Sequence, residues 1–252
     1  MIVGVGCWRG TGATTTALLL AVALHAEGRR PWLIEADPAG GVLTGRMHLD
    51  PPFGGGLERV AFPTDQGSVH ERFALAATQV AGVRIVAAPA DPFRAFTCHT
   101  PRVPWAAALR DLDDPVILDV GTIRADSAVW HVFGHLDVLL LAITTEAVSV
   151  VATDEWVAAR GRVSPAEQGL GIDCALLVVV DAPVAGESFS RRVLEADLGG
   201  RLVGWLPWST DAVDLLYRGA AFDDRRLRRN PLVAAGIQLV GRLSESVAEV
   251  AS

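Results

Sequence analysis

Seven short runs of almost unbroken apolar residues, separated by segments of helical character, restrict what this chain can fold into. They are Ile2–Gly6, Trp32–Glu35, Val83–Ala87, Val116–Val120, Val138–Ile143, Leu176–Val180 and Leu202–Leu206. A strand with one wet face alternates apolar and polar residues. A continuous run has no wet face, so these strands are expected to be buried on both sides, as in a parallel sheet covered by helices. Helical patterns fall between them, at Thr14–Glu27, Pro104–Leu112, Ala125–Phe133, Ala147–Arg160, Glu187–Asp197, Asp211–Arg218 and Leu232–Val250. This alternation predicts an α/β fold with a doubly wound, mostly parallel sheet and helices on both faces. Asp50–Gly82 is the least regular stretch. Pro51–Gly56 (PPFGGG) and Pro89–Pro104 read as loops, and no repeat or linker divides the chain. The expectation is one domain over residues 1–252.

Composition removes several classes of function. Half of the 252 residues are apolar, which is ample for a core. A net charge of −7 argues against nucleic-acid or anionic-membrane binding by the surface as a whole. All 22 basic residues are arginine. Without a lysine, the chain can form no Schiff base and cannot grip phosphate with an ammonium group. Cys7, Cys98 and Cys174 are far apart and form neither a disulfide framework nor a zinc pattern. They read as free thiols of a cytoplasmic protein, in keeping with Met1 opening directly into a strand. The longest apolar stretch, Leu136–Ala152, is broken by polar residues and is too short to span a membrane.

The chemistry concentrates at strand ends. The first strand leads through Gly6, Gly10 and Gly12 into a helix, and the free N–H groups of such a helix can bind an anion. Glu35 and Asp37 stand at the end of the second strand in LIEADPAGG. Asp119 closes VILDVGT, with Gly121 two residues on. Carboxylates at the carboxyl ends of parallel strands, beside a phosphate-type loop, describe a nucleotide–magnesium site.

This order of motifs resembles the ParA/MinD family of deviant P-loop ATPases over nearly the whole chain. The likeness extends to Thr144–Val157, to the strand end Gly204–Ser209 and to the closing Leu227–Gly236, which are similar to MinD-like and pilus-localisation members. The resemblance implies a P-loop NTPase fold, ATP or ADP with Mg²⁺, and a homodimer that docks a protein partner of a partitioning, division-site, secretion or pilus system. It implies Gly10, Thr11, Gly12, Ala13, Thr14 and Thr15 as the phosphate loop, with Thr14 and Asp119 near the metal. It places Asp37 where the attacking water is oriented, Asp181 where members carry an adenine-reading asparagine, and Pro207 beside the base. The departures are as informative. The family's two loop lysines fall on Trp8 and Ala13, and a loop glycine falls on Arg9. Hydrolysis needs cationic stabilisation of the transferred phosphoryl group. The expected function is therefore a positioning or scaffolding factor whose nucleotide is weakly bound, bound without turnover, or absent. The alternative is a slow ATPase in which Arg9 replaces the lysine. Trp8 either plugs the phosphate site, anchors a partner or packs in the loop.

Other constellations have ordinary readings. His131 and His135, four apart, have metal-binding spacing but no supporting motif, and Cys98–His99 has no second pair. Asp223–Arg229 (DDRRLRR) could meet DNA phosphates, but its own aspartates weaken the field and a solvated face is expected. The last helix carries Leu239, Val240, Leu243, Val247 and Val250 at core spacing, unlike a basic membrane anchor.

Overall fold

The computed structural model describes residues 1–49, 56–64, 67–100, 105–124, 127–160 and 175–250. Eight strands form one sheet: β1 (Ile2–Cys7), β2 (Trp32–Glu35), β3 (Thr78–Val80), β4 (Val83–Val86), β5 (Val116–Thr122), β6 (Val138–Ile143), β7 (Ala175–Asp181) and β8 (Leu202–Pro207). Their order is β3-β4-β2-β5-β1-β6-β7-β8. Among these described strands every pairing is parallel except β3 with β4. All seven expected strands are present; the antiparallel edge strand β3 was not expected.

The apolar runs do what their pattern requires. Val138, Leu140 and Ala142 of β6 enter one hydrophobic layer, while Leu139, Leu141 and Ile143 enter the other. The first layer packs under α1 (Ala13–Ala26), and the second under α3 (Leu57–Ala61), α4 (Val69–Ala76) and a 3-10 helix over Trp105–Asp111. Among the described residues the remaining helices are α2 (Leu43–Met47), α5 (Pro92–Thr97), α6 (Trp130–Phe133), α7 (Ala147–Arg160), α8 (Arg191–Leu198), α9 (Thr210–Tyr217), α10 (Arg225–Arg228), α11 (Pro231–Val250) and a short 3-10 turn over Gly199–Arg201. The fold is a doubly wound α/β fold.

Helix α1 is apolar all round and buried from Thr16 through Leu24. It lies between the sheet and α11. Gly236 of α11 admits Leu19, since a Cβ at that glycine would lie 2.7 Å from the Leu19 Cγ. Leu239, Val240 and Leu243 bury the rest of that face, and Val247 packs at its edge. Among the described residues no helix is long and apolar enough to cross a membrane.

Several boundaries differ from the sequence reading. Ser190 caps α8, delaying its start from Glu187 to Arg191. The helix expected at Ala125–Phe133 is a single turn at Trp130–Phe133, with 125–126 outside the described residues. Pro104–Leu112 is a 3-10 helix rather than an α-helix, and its first residue also lies outside. The irregular Asp50–Gly82 stretch holds α3, α4 and β3, and α4 opens with a reciprocal Ser68–Glu71 capping box. The expected Pro89–Pro104 loop contains α5, started by Asp91 and Pro92. The expected loop at Pro51–Gly56 lies outside the described residues except for Gly56, as does Cys174.

Candidate functional site

Strand order reverses about β1, which has β5 on one side and β6 on the other. Such a switch point opens a crevice at the carboxyl ends of the strands. The loop after β1 lies in it. Gly10 (φ 68) and Gly12 (φ 96) both hold left-handed backbone, and Gly12 is the residue from which α1 starts. Nothing lies within 4 Å of where a Gly10 Cβ would be, so that glycine serves backbone conformation and leaves the cradle open. The Thr11 hydroxyl donates to the Ala142 carbonyl and ties the loop to β6. No side chain caps α1, so its first amides remain available to an anion. Ala13 brings only a buried methyl to this point.

Trp8 packs against α7. Its ring packs on Trp156 of α7 at 5.0 Å between centroids, and Trp156 stacks on Trp130 at 6.2 Å. Among the described residues the ring of Trp8 thus meets a helix residue and is not on the wall of the cavity beside the loop. Arg9 takes the other direction and lines the neighbouring cavity.

The strand-end acids have separate roles. The register sets Glu35 beside Asp119 and Asp119 beside Val5. Glu35 is not a free acid at the site. Its Oε1 accepts from the Val42 and Leu43 amides at 2.6 and 2.9 Å, and its Oε2 accepts from Ala88 at 3.0 Å. It is a buried staple that fixes the start of α2 against the end of β4. Burial raises its pKa against these bonds. Asp37 accepts from the Ala39 amide at 2.8 Å. Burial raises its pKa as well, opposed by the Ala39 and Thr122 backbone and by the charge of Arg124.

Asp119 is sealed from solvent. Its Oδ1 accepts from the Gly121 amide at 3.1 Å, whereas its Oδ2 has no hydrogen-bond partner among the described residues. Burial pushes its carboxyl up to about 7, Glu35 adds to the rise, and Thr14 and Gly121 oppose it. The Thr14 hydroxyl, which lies against Asp119, and the Asp119 carboxylate are hard oxygen donors of the kind Mg²⁺ prefers, so the two residues fit that ion.

Beside the loop is a cavity of about 520 Å³. Its wall includes Arg9, Gly10, Thr11, Gly12 and Thr15 on one side, and Val180, Pro183, Leu206, Pro207 and Trp208 on the other. Pro207 and the loop therefore line the same cavity. Asp181 ends β7 opposite Pro207, but it is exposed and is not on the cavity wall; its neighbours Val180 and Ala182 are. Ala13, Thr14, Asp37 and Asp119 also lie off that wall, so the acids and the cavity are adjacent but separate. Arg46 of α2 lines the cavity and was not foreseen. It sits on a helix of five residues with no motif around it.

Elsewhere, His131 approaches His99 rather than pairing with His135, with rings 5.3 Å apart beside Trp105. Among the described residues no three metal-ligating side chains come together. In the Asp223–Arg229 run, Asp224 caps α10 and pairs with Arg226 at 2.8 Å, while Leu227 is buried.

No protein-family model and no curated protein matches the sequence. Solved structures do match along almost the full chain. The cell division ATPase MinD of Pyrococcus furiosus is 18% identical, with 97% of this chain and 98% of that one covered and a TM-score of 0.72. A ParA family ATPase from Chlorobium tepidum is 17% identical over 96% and 98%, with a TM-score of 0.74. The septum site-determining protein MinD of Pyrococcus horikoshii, complexed with Mg-ADP, is 15% identical over 100% and 98%, with a TM-score of 0.67. With its strand order, its glycine loop at the switch point and the acids on β2 and β5, the chain has the fold of the MinD/ParA ATPases.

Proposed function

We propose that this protein is a ParA/MinD-like positioning or scaffolding factor that takes an adenine nucleotide weakly or without turnover. The observation that carries this reading is Ala13. The residue at the start of α1, where a phosphate-gripping ammonium would stand, is a buried methyl, and the whole chain has no lysine to replace it. One unit charge at about 4 Å contributes up to roughly 4 kcal/mol at an effective dielectric near 20. Its loss lowers affinity by up to about a thousandfold. The amide cradle, the cavity and the Thr14–Asp119 pair retain the means to hold a magnesium nucleotide. Mg²⁺ would neutralise phosphate oxygens there, while Thr14 and Asp119 hold it and Gly10 to Thr15 supply amides.

The protein then acts through its surfaces, as a homodimer docking a protein partner of a partitioning, division-site, secretion or pilus machine. A second reading, a slow ATPase, has one observation in its favour: Arg9 lines the cavity. In it, Asp37 orients the attacking water.

Titration of Mg-ADP and Mg-ATP, followed by phosphate release and by mass in solution with and without nucleotide, tests both readings. The scaffold reading expects Kd values near millimolar and no turnover above the uncatalysed rate. Brisk phosphate release that Asp37→Ala abolishes would replace it with the enzyme.

A further inference from the structure

The cavity holds a second arginine whose setting differs from that of Arg9. Arg46 is exposed, yet its head group is anchored. Its Nη1 donates to the Tyr217 hydroxyl at 2.9 Å, and its Cζ lies 5.0 Å from the centre of that ring. The Tyr217 oxygen lies 3.0 Å from Oγ1 of Thr15, on the first turn of α1. Tyr217 itself is buried at the end of α9. The helix bearing Arg46 is held from the other side, because Glu35 binds the amides of Val42 and Leu43 at its start. Arg46 makes no ion pair among the described residues, and a single hydrogen bond leaves most of its five donors unused. Two elements remote in sequence thus hold a guanidinium one hydroxyl away from Thr15, on the wall of the cavity that the loop also lines.

We propose that Arg46 is a further nucleotide-binding residue, gripping phosphate oxygens on the Thr15 side of the cavity in place of the missing loop ammonium, with Tyr217 as the residue that positions it. This rests on the reading that the cavity takes a nucleotide. The ligand class is a nucleoside di- or triphosphate. Arginine suits the task because its planar fork can meet two phosphate oxygens at once. The absence of Asp37, Asp119 and Thr14 from this wall means that Arg46 supports binding and not the water side of the site.

The test is Mg-ADP affinity, measured by fluorescence titration at several salt concentrations, for the unaltered protein, Arg46→Ala, Arg46→Lys, Tyr217→Phe and Arg9→Ala. Arg46→Ala is expected to weaken binding at least tenfold and to flatten the salt dependence, with no change in thermal unfolding without nucleotide. Arg46→Lys keeps the charge and should recover part of the loss. Tyr217→Phe keeps the ring and removes only the hydroxyl; it should weaken binding several-fold and flatten the salt dependence in the same sense. Arg9→Ala should cost less than Arg46→Ala. If the unaltered protein binds and Arg46→Ala stays within twofold of it, this proposal is wrong and the reading of the cavity stands. If the unaltered protein does not bind millimolar Mg-ADP, both fall together. If Tyr217→Phe binds normally while Arg46→Ala does not, the positioning role is wrong.

Discussion

The Asp37 carboxylate lies directly against Gly121: a Cβ on that glycine would stand 1.9 Å from Asp37 Oδ2. Gly121 also holds a left-handed φ of 62°. Space and conformation together allow only glycine here, and the end of β5 thereby sets where the Asp37 carboxylate can go. Gly121→Ala should destabilise the protein by about 2 kcal/mol or more. Gly10→Ala, with a φ of 68° but open space around it, should cost about 1 kcal/mol. Urea unfolding midpoints compare the two, and equal losses would remove the steric part of the argument.

Glu35 satisfies three backbone amides from two separate segments. Removing its carboxylate would leave the buried Leu43 and Ala88 amides without acceptors, at about 1–3 kcal/mol each, and would also free the half-buried Val42 amide. Glu35→Ala should therefore lower stability by about 3 kcal/mol, and Glu35→Gln, which keeps one acceptor oxygen, by less. Calorimetric unfolding would show it. An Ala variant that melts like the parent would return Glu35 to the group of free site acids.

Much of the fold is legible in the sequence because burial on both faces leaves a direct mark, the unbroken apolar run. Asp37, Asp119 and the glycine loop are legible for a related reason: each sits at a fixed offset from such a run. What the sequence hides is pairing at a distance. Arg46 meets Tyr217 across 171 residues, and Glu35 meets Ala88 across 53. Only the closed fold makes one a fixed cation and the other a staple. The direction of Trp8 likewise depends on Trp156 of α7. The Ser68–Glu71 box was not read from the sequence, because it stands in a segment of weak periodicity.

His99 is buried beside His131 and Trp105, and both of its ring nitrogens lack hydrogen-bond partners among the described residues. Burial, with a smaller part from His131, lowers its pKa from 6.5 to about 3. Between these values the unfolded chain binds a proton that the folded chain refuses. The His99 contribution is thus fully present above pH 6.5 and is lost as pH falls toward 3. The raised Asp119 acts in the opposite sense between its ordinary 3.8 and about 7, so the comparison must isolate the histidine. Stability of the parent minus that of His99→Phe should decline from pH 7 to pH 4. A flat difference would contradict the assignment.

Trp8 packs on Trp156 of α7 and lies off the cavity wall. Trp8→Ala should cost about 2 kcal/mol of stability through lost aromatic packing. Mg-ADP affinity should stay within about threefold of the parent, since about 0.7 kcal/mol is the most an indirect shift should transmit. A tenfold loss of affinity at unchanged stability would put the indole in the ligand site.

Because α1 is enclosed by the sheet beneath it and by α11 pressed in at Gly236 against Leu19, the geometry of its leading turn is inherited from the protein interior. The packing of the core thus sets the shape of that turn.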